Sequence, residues 1–134
     1  KNYGELDRCT NYSEGYNPIC GDHIFIYVLI NELNNIEELS FTGESCAICK
    51  ASASMMTMHL KNHSVDNARK IFQAFHNLLT NEKLYQSGSQ NIAIPSKLLI
   101  FSGVAKFPAR VKCAILAWHT MHAALDKVKK ATTE

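Results

Sequence analysis

The change of hydrophobic period at Cys46 constrains this chain more than any other feature. Before it, residues 22–30 read D-H-I-F-I-Y-V-L-I, a β-branched and aromatic run that predicts a strand. Asn31 to Asn35 read as a turn centred on Asn34-Asn35. Ile36 to Phe41 follow as a second strand, antiparallel to the first and ended by Thr42-Gly43-Glu44. From Cys46 onward the pattern is helical: Cys46, Cys49, Ala53, Met56 and Leu60 fall on one face. Strands first and helices after predict an α+β domain, a small antiparallel sheet packed on one face by helices.

The remaining segments fill in that outline. Residues 1–19 are polar and rich in Asn, Tyr and Gly, and read as an extended arm or loop. Ser64 reads as the N-cap of a second amphipathic helix, Val65 to Leu79, with Ile71, Phe72, Phe75 and Leu78 inward. Residues 80–94 read as a polar loop, and Pro95 to Phe101 as a short helical piece. Phe107-Pro108 opens the last helix, whose inward stripe is Val111, Ile115, Trp118, Leu125 and Val128. Lys127, Lys129 and Lys130 read as its solvated end, where cations suit the helix dipole.

Length and charge narrow the function classes. A chain of 134 residues suits one domain, 1–134, with one core. The longest apolar run, Ile24 to Ile30, is far too short to cross a bilayer. The net charge is +2, and no basic stripe is interleaved with aromatics, so no nucleic-acid partner is expected. No membrane association is expected either. Five cysteines, an odd number, appear with no secretory pattern. That favours metal or thiol chemistry over a disulfide framework, and a cytoplasmic location.

Cys20, Cys46 and Cys113 stand at element ends, where a fold can gather distant segments around one point. Thiols at helix N-termini are also more acidic. With Asp22 the set is three thiols and a carboxylate. This suits tetrahedral zinc, with sulfur at about 2.3 Å and carboxylate oxygen at about 2.0–2.2 Å. Gly21 permits the tight turn that would aim Cys20 and Asp22 at one ion. Arg110 and Lys112, beside Cys113, would offset the negative charge of such a centre. By spacing alone two readings stand level: a metal site, or three cysteines packed as small apolar groups.

Three stretches carry a resemblance: N-P-I-C-G-D at 17–22, G-E-S-C-A-I-C-K-A-S-A-S-M-M-T at 43–57, and G-V-A-K-F-P-A-R-V-K-C-A-I-L-A-W at 103–118. They resemble the three cysteine motifs of the U-type iron–sulfur cluster assembly proteins, the IscU and NifU N-terminal superfamily. N-Y-G-E-L-D at 2–7 resembles the tail of a further segment of that family. A helix usually precedes that segment, and we expect this chain to lack it. The SufU branch is the most similar. Cys46 and Cys113 lie 67 residues apart, room for the SufU insertion, and Lys112 stands where scaffold-type members carry histidine.

The resemblance implies a SufE/IscU-like fold and a zinc-bound sulfurtransferase. It would accept persulfide sulfur from a SufS-type cysteine desulfurase and pass it to a downstream iron–sulfur assembly scaffold. It implies Cys20, Asp22, Cys46 and Cys113 as zinc ligands and Cys20 as sulfur acceptor. A desulfurase histidine would displace Cys20 from the metal. Arg110 would hold a carboxylate or thiolate in place. Two alternatives are a scaffold carrying iron or a 2Fe–2S cluster on the same ligands, and a structural zinc module that only binds partners.

Other chemistry-bearing residues read as bland. Cys49 shares a face with Cys46 and reads as a buried packing residue, with a spare ligand or alternative sulfur carrier as the other reading, and Cys9 reads as a free loop thiol. The six histidines have no mutual ligand spacing beyond the His59/His63 pair.

Overall fold

A computed structural model describes residues 2–80 and 96–132. The loop expected over 80–94 lies, past Thr80, outside the described residues, as does Pro95. Four strands form one sheet: β1 (Asn11–Asn17), β2 (Asp22–Ile30), β3 (Ile36–Glu44) and β4 (Lys130–Thr132), in the order β3-β2-β1-β4. The expected β2–β3 hairpin is antiparallel, with Ile24 opposite Gly43 and Val28 opposite Leu39. Gly43 does not end β3 as expected. It sits at φ 120° inside the strand, where a Cβ would strike the His23 carbonyl oxygen at 2.2 Å. The helices are α1 (Ala47–Leu60), α2 (Val65–Thr80) and α3 (Pro108–Leu125), with a 3-10 helix over Ser96–Val104.

The sheet corrects the sequence reading in two places. Residues 11–17 are a strand rather than part of a loop, paired antiparallel with β2. β4 pairs parallel with β1, so the sheet is mixed. The inward side chains of β1 are Asn11, Ser13, Gly15 and Asn17, all buried and none a large hydrophobe. Small residues let α3 lie close: a Cβ at Gly15 would stand 1.9 Å from Thr120 Oγ1. Asn11 Nδ2 donates to the Ala124 carbonyl at 2.8 Å, tying the far end of α3 to the start of β1.

The helices cover the face carrying Ile24, Ile26 and Val28, and one core contains Met56, Leu60, Phe75, Leu116, Trp118 and Met121. The opposite face carries His23, Phe25 and Tyr27 half-buried and Tyr12 and Tyr16 exposed. α1 and α2 begin as expected. Cys46 caps α1, and the Ser64 hydroxyl oxygen accepts the Asn67 N–H at 3.0 Å. Proline occupies the first turn of α3. That helix is buried on most of its circumference rather than on one stripe. It ends at Leu125, so Val128 is 50% exposed and outside it. Lys127 therefore follows the helix at φ 59°, and Lys130 opens β4. Among the described residues, no helix is long and apolar enough to cross a membrane.

Candidate metal centre

Three element ends meet at one corner of the sheet. Residues 18–21 turn from β1 into β2, with Gly21 at φ 71°, and carry Cys20 outward while Asp22 starts β2. Cys46 lies just before α1, and its Sγ accepts the Cys49 N–H at 3.5 Å. Cys113 projects from the second turn of α3. Cys20 is exposed, Cys46 is half-buried, and Asp22 and Cys113 are buried.

Ligand atoms of Cys20, Asp22 and Cys113 all lie within 4.8 Å of one another. The Cys20 and Cys113 sulfurs are 3.2 Å apart, and Cys46 Sγ is 4.0 Å from Asp22 Oδ2. A tetrahedral ion with bonds of about 2.3 Å has ligand–ligand edges of about 3.8 Å. The two sulfurs of Cys20 and Cys113 and the Asp22 carboxylate therefore fit three positions around a thiophilic divalent cation, while the Cys46 sulfur stands outside that group, beside Asp22. Burial, reinforced by Cys20, Cys46 and Asp22, pushes the Cys113 thiol up and favours its neutral form. A bound cation reverses that preference, because a coordinating thiol is deprotonated.

Asp22 is held from two sides. Its Oδ1 accepts the Cys46 backbone N–H at 2.8 Å, and its Oδ2 accepts from Asn17 Nδ2 at 3.1 Å. A cavity of about 490 Å³ opens onto the thiols, lined by Cys20, Cys46, Ala47, Ile48, Ala109, Arg110 and Cys113. Arg110 is exposed at its edge and forms no ion pair among the described residues.

Residues 1–114 match the NifU-like N terminal domain. The chain belongs to that family. It is 31% identical over 127 residues to the iron-sulfur cluster assembly scaffold protein IscU of Thermotoga maritima, covering 95% of this chain and 84% of that one. It is 32% identical over 111 residues to the zinc-dependent sulfurtransferase SufU of Bacillus subtilis, covering 83% and 71%. The crystal structure of FiSufU, a SUF-system protein of Fervidobacterium islandicum AW-1, superposes with a TM-score of 0.77. It is 26% identical, with 93% of this chain and 87% of that chain covered.

In this NifU-like domain, Cys20, Asp22, Cys46, Cys113 and Arg110 are gathered at one corner. Lys112 is not with them: it lines a separate cavity of about 520 Å³ that also contains His76 and His119. Cys49 is fully buried on the core side of α1, and burial pushes its thiol up to about 12. Cys9 is exposed. The residue that sequence reasoning passed over is Asn17. It reads as a turn former before proline, yet it is buried between two of the candidate ligands.

Proposed function

We propose that this NifU-like domain is a sulfur carrier for iron–sulfur cluster assembly, with zinc held by Cys20, Asp22, Cys46 and Cys113. The supporting observation is the uneven burial of the four. Cys20 alone is exposed, on a turn at the mouth of the cavity, while the buried Asp22 and Cys113 stay with the core. A carrier needs one accessible thiol beside ligands that remain in place. When bound, zinc keeps the thiols ionised and links three separated segments, so its binding energy is also folding energy.

The partner is a cysteine desulfurase of the SufS type. Once free of the metal, the Cys20 thiolate attacks the outer sulfur of the partner's persulfide. A new S–S bond forms at Cys20 as the donor's S–S bond breaks. The donor cysteine leaves as thiolate, and the transferred sulfur keeps its proton. There is no net oxidation, as in thiol–disulfide exchange. Arg110, at the cavity edge, offers a cation to the thiolates of this exchange. The loaded Cys20 then passes its sulfur to a downstream assembly scaffold. The Bacillus subtilis relative, named a zinc-dependent sulfurtransferase, supports this reading.

The second reading is a scaffold that receives iron and sulfide as cargo and builds a 2Fe–2S cluster on the same side chains. The scaffold name of the Thermotoga maritima relative favours it, and thiolate and carboxylate ligands also suit iron.

Desulfurase turnover measured with and without the zinc-loaded protein separates the two. Stimulation that Cys20→Ala abolishes, with the other ligands still in place, supports the carrier. No stimulation, with visible absorption after anaerobic reconstitution with iron and sulfide, supports the scaffold.

A further inference from the structure

We propose that Asn17 is a positioning residue of this centre: its side-chain amide ties Asp22 to Cys113 and leaves Cys20 as the ligand free to exchange. The inference rests on the reading that Cys20, Asp22, Cys46 and Cys113 hold zinc. Asn17 is the last residue of β1, directly opposite Asp22 in the β1–β2 register, and fully buried. Its Nδ2 lies 3.1 Å from Asp22 Oδ2 and 3.6 Å from Cys113 Sγ. An amide nitrogen carries two hydrogens, enough for both acceptors at once. Both acceptors are candidate ligand atoms, so one buried side chain fixes their positions relative to each other.

The other N–H donors follow the same division. Asp22 Oδ1 accepts the Cys46 N–H at 2.8 Å, and Cys46 Sγ accepts the Cys49 N–H at 3.5 Å. Three of the four candidate ligands thus receive an N–H from the fold. Cys20 receives none among the described residues. Its sulfur meets only Cys113 Sγ, at 3.2 Å, and its turn is exposed. An N–H bond to a sulfur draws electron density from it and adds a second tether to the protein. Cys20 lacks both restraints, so it keeps the most nucleophilic and most detachable sulfur. Outer partners that orient ligands in this way characteristically change metal affinity when removed.

The test uses Cys9→Ser as parent, since Cys9 is exposed and would itself be alkylated. Asn17→Asp, close in shape but without the donor, and Asn17→Ala are compared with it. Zinc affinity is measured by chelator competition, and zinc-loaded protein is briefly alkylated and its peptides mapped. The expected parent is modified at Cys20 and spared at Cys46 and Cys113. The expected variants bind zinc about 10- to 100-fold more weakly and are modified at Cys113 as well. Variants with parental affinity and modification at Cys20 alone would overturn the role of Asn17.

Cadmium-loaded parent gives a reading that needs no variant to fold. Scalar coupling between cadmium and the Asn17 amide protons supports the bond through Cys113 Sγ, and its absence overturns it. A parent that takes up no zinc, or whose Cys46 and Cys113 stay as reactive as in metal-free protein, overturns the centre itself and Asn17 with it.

Discussion

The Cys46 backbone N–H donates to Asp22 Oδ1 at 2.8 Å, joining the start of α1 to the start of β2. Asp22 is 1% exposed, so the Asn17 amide bond lies out of water, and the Cys46 contact is part-buried. Asp22→Ala leaves both donors without their acceptor. An unsatisfied buried donor costs about 1–3 kcal/mol. Metal-free Asp22→Ala is therefore expected to lose stability on that scale in chemical denaturation. The deficit should widen when the parent is loaded with zinc, because the variant also lacks a ligand. Equal stability of variant and parent without metal would show that the two bonds contribute nothing net.

The close approach of β1 and α3 makes a second prediction. A methyl at Gly15 would fall 1.9 Å from Thr120 Oγ1, whose hydroxyl donates to the Leu116 carbonyl at 2.7 Å. Gly15→Ala must push strand and helix apart, and overpacking of this kind costs about 1–3 kcal/mol. Thr120→Ala removes the nearest atom. The double variant should therefore be more stable than the sum of the single losses implies, a coupling that denaturation of all four proteins measures. Strict additivity would place the strain elsewhere.

Gly15 also shows why β1 was invisible in the sequence. A half-buried strand is recognised by alternating apolar residues, and here the buried positions are Asn11, Ser13, Gly15 and Asn17. β2 has Ile24, Ile26 and Val28 at the corresponding positions and was legible. The Lys130–Thr132 strand is too short and polar to announce itself. In α3, burial around most of the helix hid which residues face the sheet, so Val128 was placed on a stripe that ends before it. At the candidate site, the cysteines and Asp22 stand out by residue type and motif. Asn17 does not, because an asparagine before proline has an ordinary reading as a turn residue. Only the β1–β2 register puts its amide beside Asp22.

Ser52 sits between α1 and α3 as a buried relay. Its Oγ accepts from Trp118 Nε1 at 3.0 Å and donates to the Ala114 carbonyl at 2.5 Å. Ser52→Ala leaves the indole N–H of a fully buried tryptophan without a partner. The expected loss is about 1–3 kcal/mol. Trp118 is the single tryptophan, so its fluorescence reports the unfolding transition directly. A stability unchanged within error would mean that the indole finds another acceptor.

Histidine burial sets the pH dependence of the metal-free fold. Burial lowers the affinity of His76 for its proton. At His119 burial acts first, with His76 and His122 adding to it. His59 is lowered as well, by burial and then by Lys97 and His63. Such groups are neutral in both folded and unfolded states well above the ordinary histidine value of 6.5. As pH falls through that value, the unfolded chain takes up protons that the folded one resists. Stability must therefore decline as pH drops, with positive slope in pH. Denaturation midpoints in chelator are expected to fall as pH is lowered from about 7 towards 5. His119→Gln should flatten that fall, since it removes one of the protons the unfolded state gains and relieves its repulsion of His76. Zinc must be absent from the measurement, because protonation of the thiols would add a pH dependence of its own. A midpoint that stays level across this range would show that the buried histidines protonate in place at no cost to the fold.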